Sequence, residues 1–327
     1  MAGRHETLIS GQELAEISTE LTLNGLPNQS ATCLGTYALG LIQVQVKRLG
    51  KLQPKVLANE DPESLHQLRV SLRRLRIILR QFMPALALPE SVDTDRIAAV
   101  ARRTSLTRDL DVLGERLERQ LLPLLPADER QVMEAAMKRL GRQRNQAFDL
   151  LVDALRSPNY LKLLARLHRW QDSPRFTRLG DQAIDYWLYE LHAPFTGILF
   201  LHRGWQANDY RAEDLHSLRK LIKNARYALE NLQPWLDSKV QDGIAQLRNA
   251  QGILGDLHDL GVLEFILADH KMPVKLKKLP ILRAEIKRQQ QQCWLDWQQQ
   301  AASLTSSDFR HRFREPLKNR HFVDPTS

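Results

Sequence analysis

Five side chains in one short stretch have the types and the spacing to bind a row of anions. His66, Arg69, Arg73, Arg76 and Arg80 follow one another at intervals of 3, 4, 3 and 4 residues, the repeat of one face of an α-helix. They extend over 14 residue steps, roughly 21 Å at ~1.5 Å per residue. Like charges three and four residues apart repel by roughly 0.2–0.5 kcal/mol per pair. An ordinary exposed face relieves this with interleaved carboxylates, yet no acid lies between Glu63 and Glu90. The repulsion has to be offset from outside the helix, by acids on another helix or by a bound anion. Arginine suits phosphate because its planar fork donates two parallel hydrogen bonds and keeps its charge. A row of forks matches a row of phosphates. A single small anion would instead sit at a helix N-terminus or in a Gly-rich loop, and no Walker-type loop is present.

The pattern recurs 150 residues later. Residues 65 to 84 read LHQLRVSLRRLRIILRQFMP, and residues 215 to 234 read LHSLRKLIKNARYALENLQP. This register matches Leu65 with Leu215, His66 with His216, Leu68 with Leu218, Arg69 with Arg219, Arg76 with Arg226, Leu79 with Leu229 and Pro84 with Pro234. Lys223 stands opposite Arg73 and preserves the charge, whereas Glu230 replaces Arg80 and partly neutralises that end. The same offset aligns RDLDVL (Arg108 to Leu113) with HDLGVL (His258 to Leu263). The second copy thus supplies His216, Arg219, Lys223 and Arg226. Arg74 and Lys220, which adjoin the two stripes, and Arg108 complete the candidate phosphate-binding set. Two such stripes facing one groove would bring together at least eight cationic or protonatable side chains.

The histidines are read as hydrogen-bond donors to an anion. Neighbouring arginines push a His pKa below ~6.5 and a bound polyanion pulls it up. Contact with phosphate in the charged form would make affinity fall as pH rises through ~6 to 8. No metal site is expected, because His66 and His216 lack a His or Cys at i+4 and no His-Glu-x-x-His occurs. No catalytic residue and no cofactor is assigned.

These side chains need helices to carry them. Leu65, Leu68, Leu72, Leu75, Leu79 and Phe82 form an apolar stripe about 100° round the helix from the basic one. Leu215, Leu218, Ile222, Ala225, Leu229 and Leu232 repeat it. Long stretches lack Gly and Pro, and alternating β-branched runs are scarce, so the chain reads as all-α. Helices are predicted over 32–57 with an early stop at Pro54, and over 62–83, 92–122, 127–156 and 160–170. In the second half they are predicted over 182–201, 212–232, 237–270 and 274–302. A short helix is expected around Gly11 to Leu23. The expected division is a flexible N-terminal arm (1–30), a first helical repeat (31–171), a second (172–305) and a basic tail (306–327). The repeat predicts about four helices in each half, with the halves related by an approximate two-fold.

Composition narrows the partners. The formal charge of +9 and the pI near 9.7 point to a polyanionic partner or to solubility alone. Two cysteines, Cys33 and Cys293, cannot build a disulfide framework or a four-cysteine zinc site. The opening residues lack an apolar signal region, and no apolar run reaches the ~18–20 residues of a membrane span. A soluble, cytoplasmic protein with no membrane partner is expected.

The doubled motif resembles the CHAD family, the conserved histidine α-helical domain. Its repeated helix has the form His-x-Leu-Arg-x-x-x-(Arg/Lys)-x-x-Arg, read here as His66, Leu68, Arg69, Arg73 and Arg76, and again as His216, Leu218, Arg219, Lys223 and Arg226. An Arg-Asp-x-Asp-Val element is similar to Arg108 to Val112, and its counterpart to Gln251, Leu254-Gly255 and Asp259. The likeness covers about residues 31 to 305. It implies two four-helix bundles with pseudo-two-fold symmetry and non-catalytic binding of inorganic polyphosphate along a basic groove, at polyphosphate granules. Asn224 and Ala225 depart from the family pattern, which implies a weaker middle in the second copy. Thr104-Ser105 stand where Leu-Gly is expected. No Glu-x-Glu-x-Lys occurs, so a stand-alone domain without a fused CYTH barrel is expected.

Two other readings compete. Nucleic acid is an alternative partner at weaker affinity, although no aromatic interleaves the stripe before Tyr227 to stack a base. Phosphoryl-transfer chemistry would need acids for Mg²⁺. Asp109, Asp111, Asp256 and Asp259 are read instead as partners for Arg108 and as helix surface. The sequence assigns no protein partner.

Overall fold

The computed structural model describes residues 32–269, 273 and 276–312. The expected arm (1–30) and most of the tail lie outside them. Eleven α-helices make up the described residues, with no β-strand among them beyond two isolated bridges. In the first half α1 is Leu34–Ala58, α2 Pro62–Phe82, α3 Thr94–Arg103, α4 Ser105–Arg116, α5 Ala127–Arg156 and α6 Pro158–Asp172. In the second, α7 is Leu188–Phe200, α8 Glu213–Glu230, α9 Ser238–Ala268, α10 Pro280–Thr305 and α11 Ser307–Arg312.

The boundaries follow local chemistry. Helix α2 starts on Asp61, whose carboxylate accepts from the Glu63 backbone N–H, with Pro62 in the first turn. Helix α1 does not stop at Pro54. It runs on to Ala58 and ends at Asn59, whose left-handed backbone (φ 56°) caps it. The helix expected over 92–122 is broken at Thr104 into α3 and α4. The Thr104 and Ser105 hydroxyls donate back to the Ala101 carbonyl at 2.7 and 3.2 Å, competing with the helix ladder. Helix α10 begins six residues later than expected, at Pro280, where proline fits a first turn.

Packing repeats between the halves. Helix α1 lies on α2 as α7 lies on α8; α4 lies on α5 as α9 lies on α10; and α2 meets α8. The cores, however, divide by layer and not by half. One layer joins Leu68, Leu72 and Leu75 of α2 to Leu218, Ile222 and Ala225 of α8 and to α1 and α6. The other joins Leu110 and Leu113 of α4 to Leu140 of α5, Leu263 of α9 and Ile286 of α10.

The stretch after α6 is sewn into the first half. Ala87 N–H donates to the Arg175 carbonyl, Thr177 N–H to Ala85, Leu34 N–H to Gln182 and Ile184 N–H to Thr32. Gly180 is required there: a Cβ would come within 2.4 Å of the Ala85 carbonyl oxygen.

Candidate functional site

The apolar stripes of α2 and α8 are buried, with Leu68 and Leu218 both 0% exposed. That burial turns the adjoining stripes toward a shared space. His66, Arg69, Arg73 and Arg76 of α2, with His216, Arg219 and Lys223 of α8, are all half-buried. Their fields overlap across the helix pair. Arg219 depresses the ionisation of Arg69, Arg73 and Arg69 both act on Lys223, and Lys223 acts on His66. Arg108 on α4 joins them beside His66 and Arg69. Lys220 and Arg80 are exposed at the margins, Arg80 with its guanidinium 5.9 Å above the Phe195 ring.

This crowding is costly to the free protein. Burial, reinforced by Arg73, lowers Arg69 to about 10. Burial, then Arg73 and Arg219, holds Lys223 well below the usual lysine range. Burial followed by Arg108 and Arg69 pushes His66 down to about 4. None of the seven half-buried stripe residues, nor Arg108, makes an ion pair with a described residue. The Nε atoms of Arg76, Arg108 and Arg219 are buried without a hydrogen-bond partner. Unpaired, dehydrated cations of one sign are what a polyanion would stabilise.

Two acids moderate the cluster. Asp109 of α4 acts on Arg69 and Arg219, and Asp259 of α9 acts on Arg219 and Lys223. These two positions are 150 residues apart, like the arginines they serve. Loss of water outweighs the pull of Arg69 and Arg219 at Asp109, and of Arg219 and Arg116 at Asp259, so both carboxyls are raised. The other two aspartates singled out in the sequence are paired elsewhere: Asp111 accepts from Arg144 at 2.8 Å, and Asp256 pairs with Arg116, tying α9 to α4.

Arg69 is fixed by the break between α3 and α4. Its Nη1 donates to the Thr104 and Ser105 hydroxyls, both at 2.9 Å, and to the Ala101 carbonyl at 3.3 Å. The Thr104-Ser105 departure therefore supplies a cradle for the guanidinium. His258 was not singled out as a site residue, although the 150-residue register places it opposite Arg108. Its ring lies 4.8 Å from that of His216. Burial, then Arg219 and His216, pushes it down to about 3.

Arg74 and Arg226 do not join this cluster as expected. They are 5% and 6% exposed and both bind Glu230, at 2.7 and 2.5 Å, with Arg248 at 3.0 Å on the same carboxylate. Arg74 sits one residue past Arg73, a turn of about 100° that aims it at α8. Arg226 is drawn to its own i+4 neighbour and also donates to Gln251 at 3.0 Å. Glu230 therefore does more than neutralise one end of the stripe: it gathers three arginines into the helix interface. Between Arg74 and Arg226 lies the Tyr227 ring, 4.8 and 4.3 Å from their guanidinium carbons and 3% exposed. Next to it, Gln81 accepts from the Asn231 side chain at 2.9 Å and donates to the Ala228 carbonyl.

Among the described residues no group of three or more His, Cys, Asp or Glu is placed to hold a metal ion, and no helix is long and apolar enough to cross a membrane.

Comparison with known proteins fits this arrangement. The CHAD domain model matches residues 40–268. Two uncharacterized proteins from strains of Mycobacterium tuberculosis are each 28% identical over 191 residues, covering 57% of this chain and 37% of their own. The chain thus spans little more than a third of the length of these curated relatives. The CHAD domain from the plant Ricinus communis superposes with a TM-score of 0.61 at 22% identity, covering 89% of this chain and 94% of that one. PptA from Streptomyces chartreusis gives 0.60 at 18% identity, over 82% and 99%. Those structures share the fold, and with the doubled helix and the matched span they lead to one conclusion: this chain belongs to the CHAD domain family.

Proposed function

We propose that this protein binds inorganic polyphosphate, without catalysis, in the groove between α2 and α8, and that this binding places it at polyphosphate granules. The observation that carries the reading is the pooled, unpaired charge of Arg69, Arg73, Arg219 and Lys223, contributed by both halves and neutralised by no ion pair among the described residues. The two helices are related by an approximate two-fold whose axis runs between them, in a pair of four-helix units. Two contacts support that symmetry, because each joins positions 150 apart: Ile77 packs with Tyr227, and Gln81 bonds Asn231; the charges of Arg73 and Lys223, also 150 apart, act on one another. A residue touches its own equivalent only near such an axis.

Nucleic acid is the weaker partner in this reading. The one aromatic on the α8 stripe segment, Tyr227, is buried between two arginines and offers no face to a base. Titration with long-chain polyphosphate against RNA at one salt concentration tests the assignment. Arg69→Ala with Arg219→Ala should weaken polyphosphate binding about 100-fold, at ~1.5 kcal/mol per charged hydrogen bond lost, while the far-UV circular dichroism stays helical. Unchanged affinity would remove the stripes from the site. Equal affinity for RNA would favour the nucleic-acid reading, and phosphate release in the presence of Mg²⁺ would show an enzyme.

A further inference from the structure

A second cluster of cations lies outside the groove, beyond the histidine pair. Side-chain contacts between α8 and α9 step along α9 in register: Arg248 with Glu230, Gln251 with Arg226, His258 with His216. The next step is Glu264, which pairs at 3.6 Å with Arg211, just before α8 begins. There a pocket opens between α9 and α10, lined by Arg211, Glu264, Arg283, Ile286, Lys287 and Gln290. Arg211 is set in place by its neighbour. Its guanidinium carbon lies 5.3 Å from the Tyr210 ring, and that ring lies 6.5 Å from Trp294 of α10.

The charge of this pocket is positive in excess. Arg283 and Lys287 stand four residues apart on one face of α10. Both are exposed, and neither makes an ion pair with a described residue. Glu264, the acid lining the pocket, is already engaged: besides pairing with Arg211 it accepts from Gln290 Nε2 at 3.2 Å, and Gln290 is buried. Glu285 lies about 160° round α10 from Arg283 and accepts from Arg288 at 2.6 Å and Gln289 at 2.8 Å. Between Arg211 and His216, Asp214 is bound by Arg203 at 2.9 Å, which leaves Glu213 as the one acid on the way. The way is short. From His258 to Glu264 helix α9 rises about 9 Å and turns Glu264 about 120° further round. A polymer of tetrahedral phosphates, joined through flexible P–O–P links, can make that bend over the start of α8.

We propose that Arg211, Arg283 and Lys287 form a second phosphate anchor, which takes the part of a long polyphosphate chain that leaves the groove past His216 and His258. The proposal rests on the polyphosphate reading of the groove and adds a dependence on chain length, because a second foothold on the same polymer raises affinity through local concentration. The test compares long-chain polyphosphate with tripolyphosphate, which is too short to occupy groove and pocket together, on the wild type and on Arg283→Gln/Lys287→Gln. Long-chain affinity should fall about tenfold in the variant, and the slope of log affinity against log salt should flatten by about 1.4, the share of two cations. Tripolyphosphate should bind both proteins alike. Equal long-chain affinity in the two proteins would overturn the proposal, as would an equal loss for tripolyphosphate, which would put both residues in the groove. Lys51→Gln/Lys55→Gln removes the same charge from exposed positions of α1 and should leave long-chain affinity within about twofold. A fall as large as that of the pocket variant would reduce the effect to net charge and also overturn the anchor. Absence of long-chain binding to the wild type would be a different failure, that of the polyphosphate reading itself.

Discussion

Replacing Glu230 by leucine would leave the guanidinium groups of Arg74, Arg226 and Arg248 without their shared carboxylate. Removing one partner of a buried charge cluster costs about 3–5 kcal/mol. Glu230→Leu is therefore expected to lose stability on that scale in chemical denaturation, while the folded fraction keeps its polyphosphate affinity. The half-buried histidines should respond at lower pH than their ordinary pKa values suggest. With His66 near 4 and His258 near 3, both are neutral at pH 7 in the free protein. Their protonation strengthens binding only on acidification below the usual histidine range, so the fall through pH 6 to 8 expected from sequence moves to lower pH. Lys223 acts below the usual lysine range. Its free pKa is depressed and a bound polyanion raises it, so binding takes up a proton and affinity falls as pH rises between the two values. Titrations carried up to the usual lysine range should show this fall in the wild type and a flatter curve in Lys223→Arg, since arginine stays charged. Equal slopes would place Lys223 outside the ligand's reach.

At the level of elements, the break at Thr104 positions Arg69. Thr104→Val with Ser105→Ala removes two hydrogen bonds to Nη1 and two hydroxyls that compete with the helix ladder. Polyphosphate affinity should fall about tenfold, for net hydrogen-bond terms of ~0.5–1.5 kcal/mol each, with helix content unchanged. Calorimetric titration checks it. The helices themselves were legible because the period of Leu68, Leu72 and Leu75 and the prolines at 62 and 158 act locally. The break at Thr104 was not, because it depends on a guanidinium arriving from 35 residues away. The two stripes could be read for the same local reason, and so could their shared register. The fate of Arg74 could not: which side of a helix faces a partner is set by packing between helices, and Arg74 reaches Glu230 only once α2 and α8 meet, whereas the Arg226–Glu230 pair is local, four residues apart on α8. His258 shows the intermediate case, since the repeat aligned it with Arg108 but gave no sign of its ring lying against His216.

For the molecule as a whole, the same charges that would hold a ligand strain the free fold. Lys223→Met is expected to raise the melting temperature without polyphosphate, by about 2 °C for each ~1 kcal/mol of relieved repulsion and desolvation, and to weaken binding. Differential scanning calorimetry with and without polyphosphate reads both signs. A drop in both would show that Lys223 supports the fold. Affinity should also fall about 100-fold between 50 and 200 mM salt if some five cations are neutralised, taking the slope of about −0.7 per phosphate known for single strands. A flat response would mean that the stripes do not meet the ligand.

The stretch sewn from Ala85 to Thr32 has a consequence for biosynthesis. Residues 32 to 35 leave the ribosome well before their backbone partners Gly180, Gln182 and Ile184, and the Tyr37 hydroxyl donates to the Asn231 carbonyl. A nascent chain holding only the first five helices lacks the strap that anchors its own beginning. The N-terminal half consequently completes itself only after translation has passed well into the other one, and a message truncated between them yields an unfinished domain.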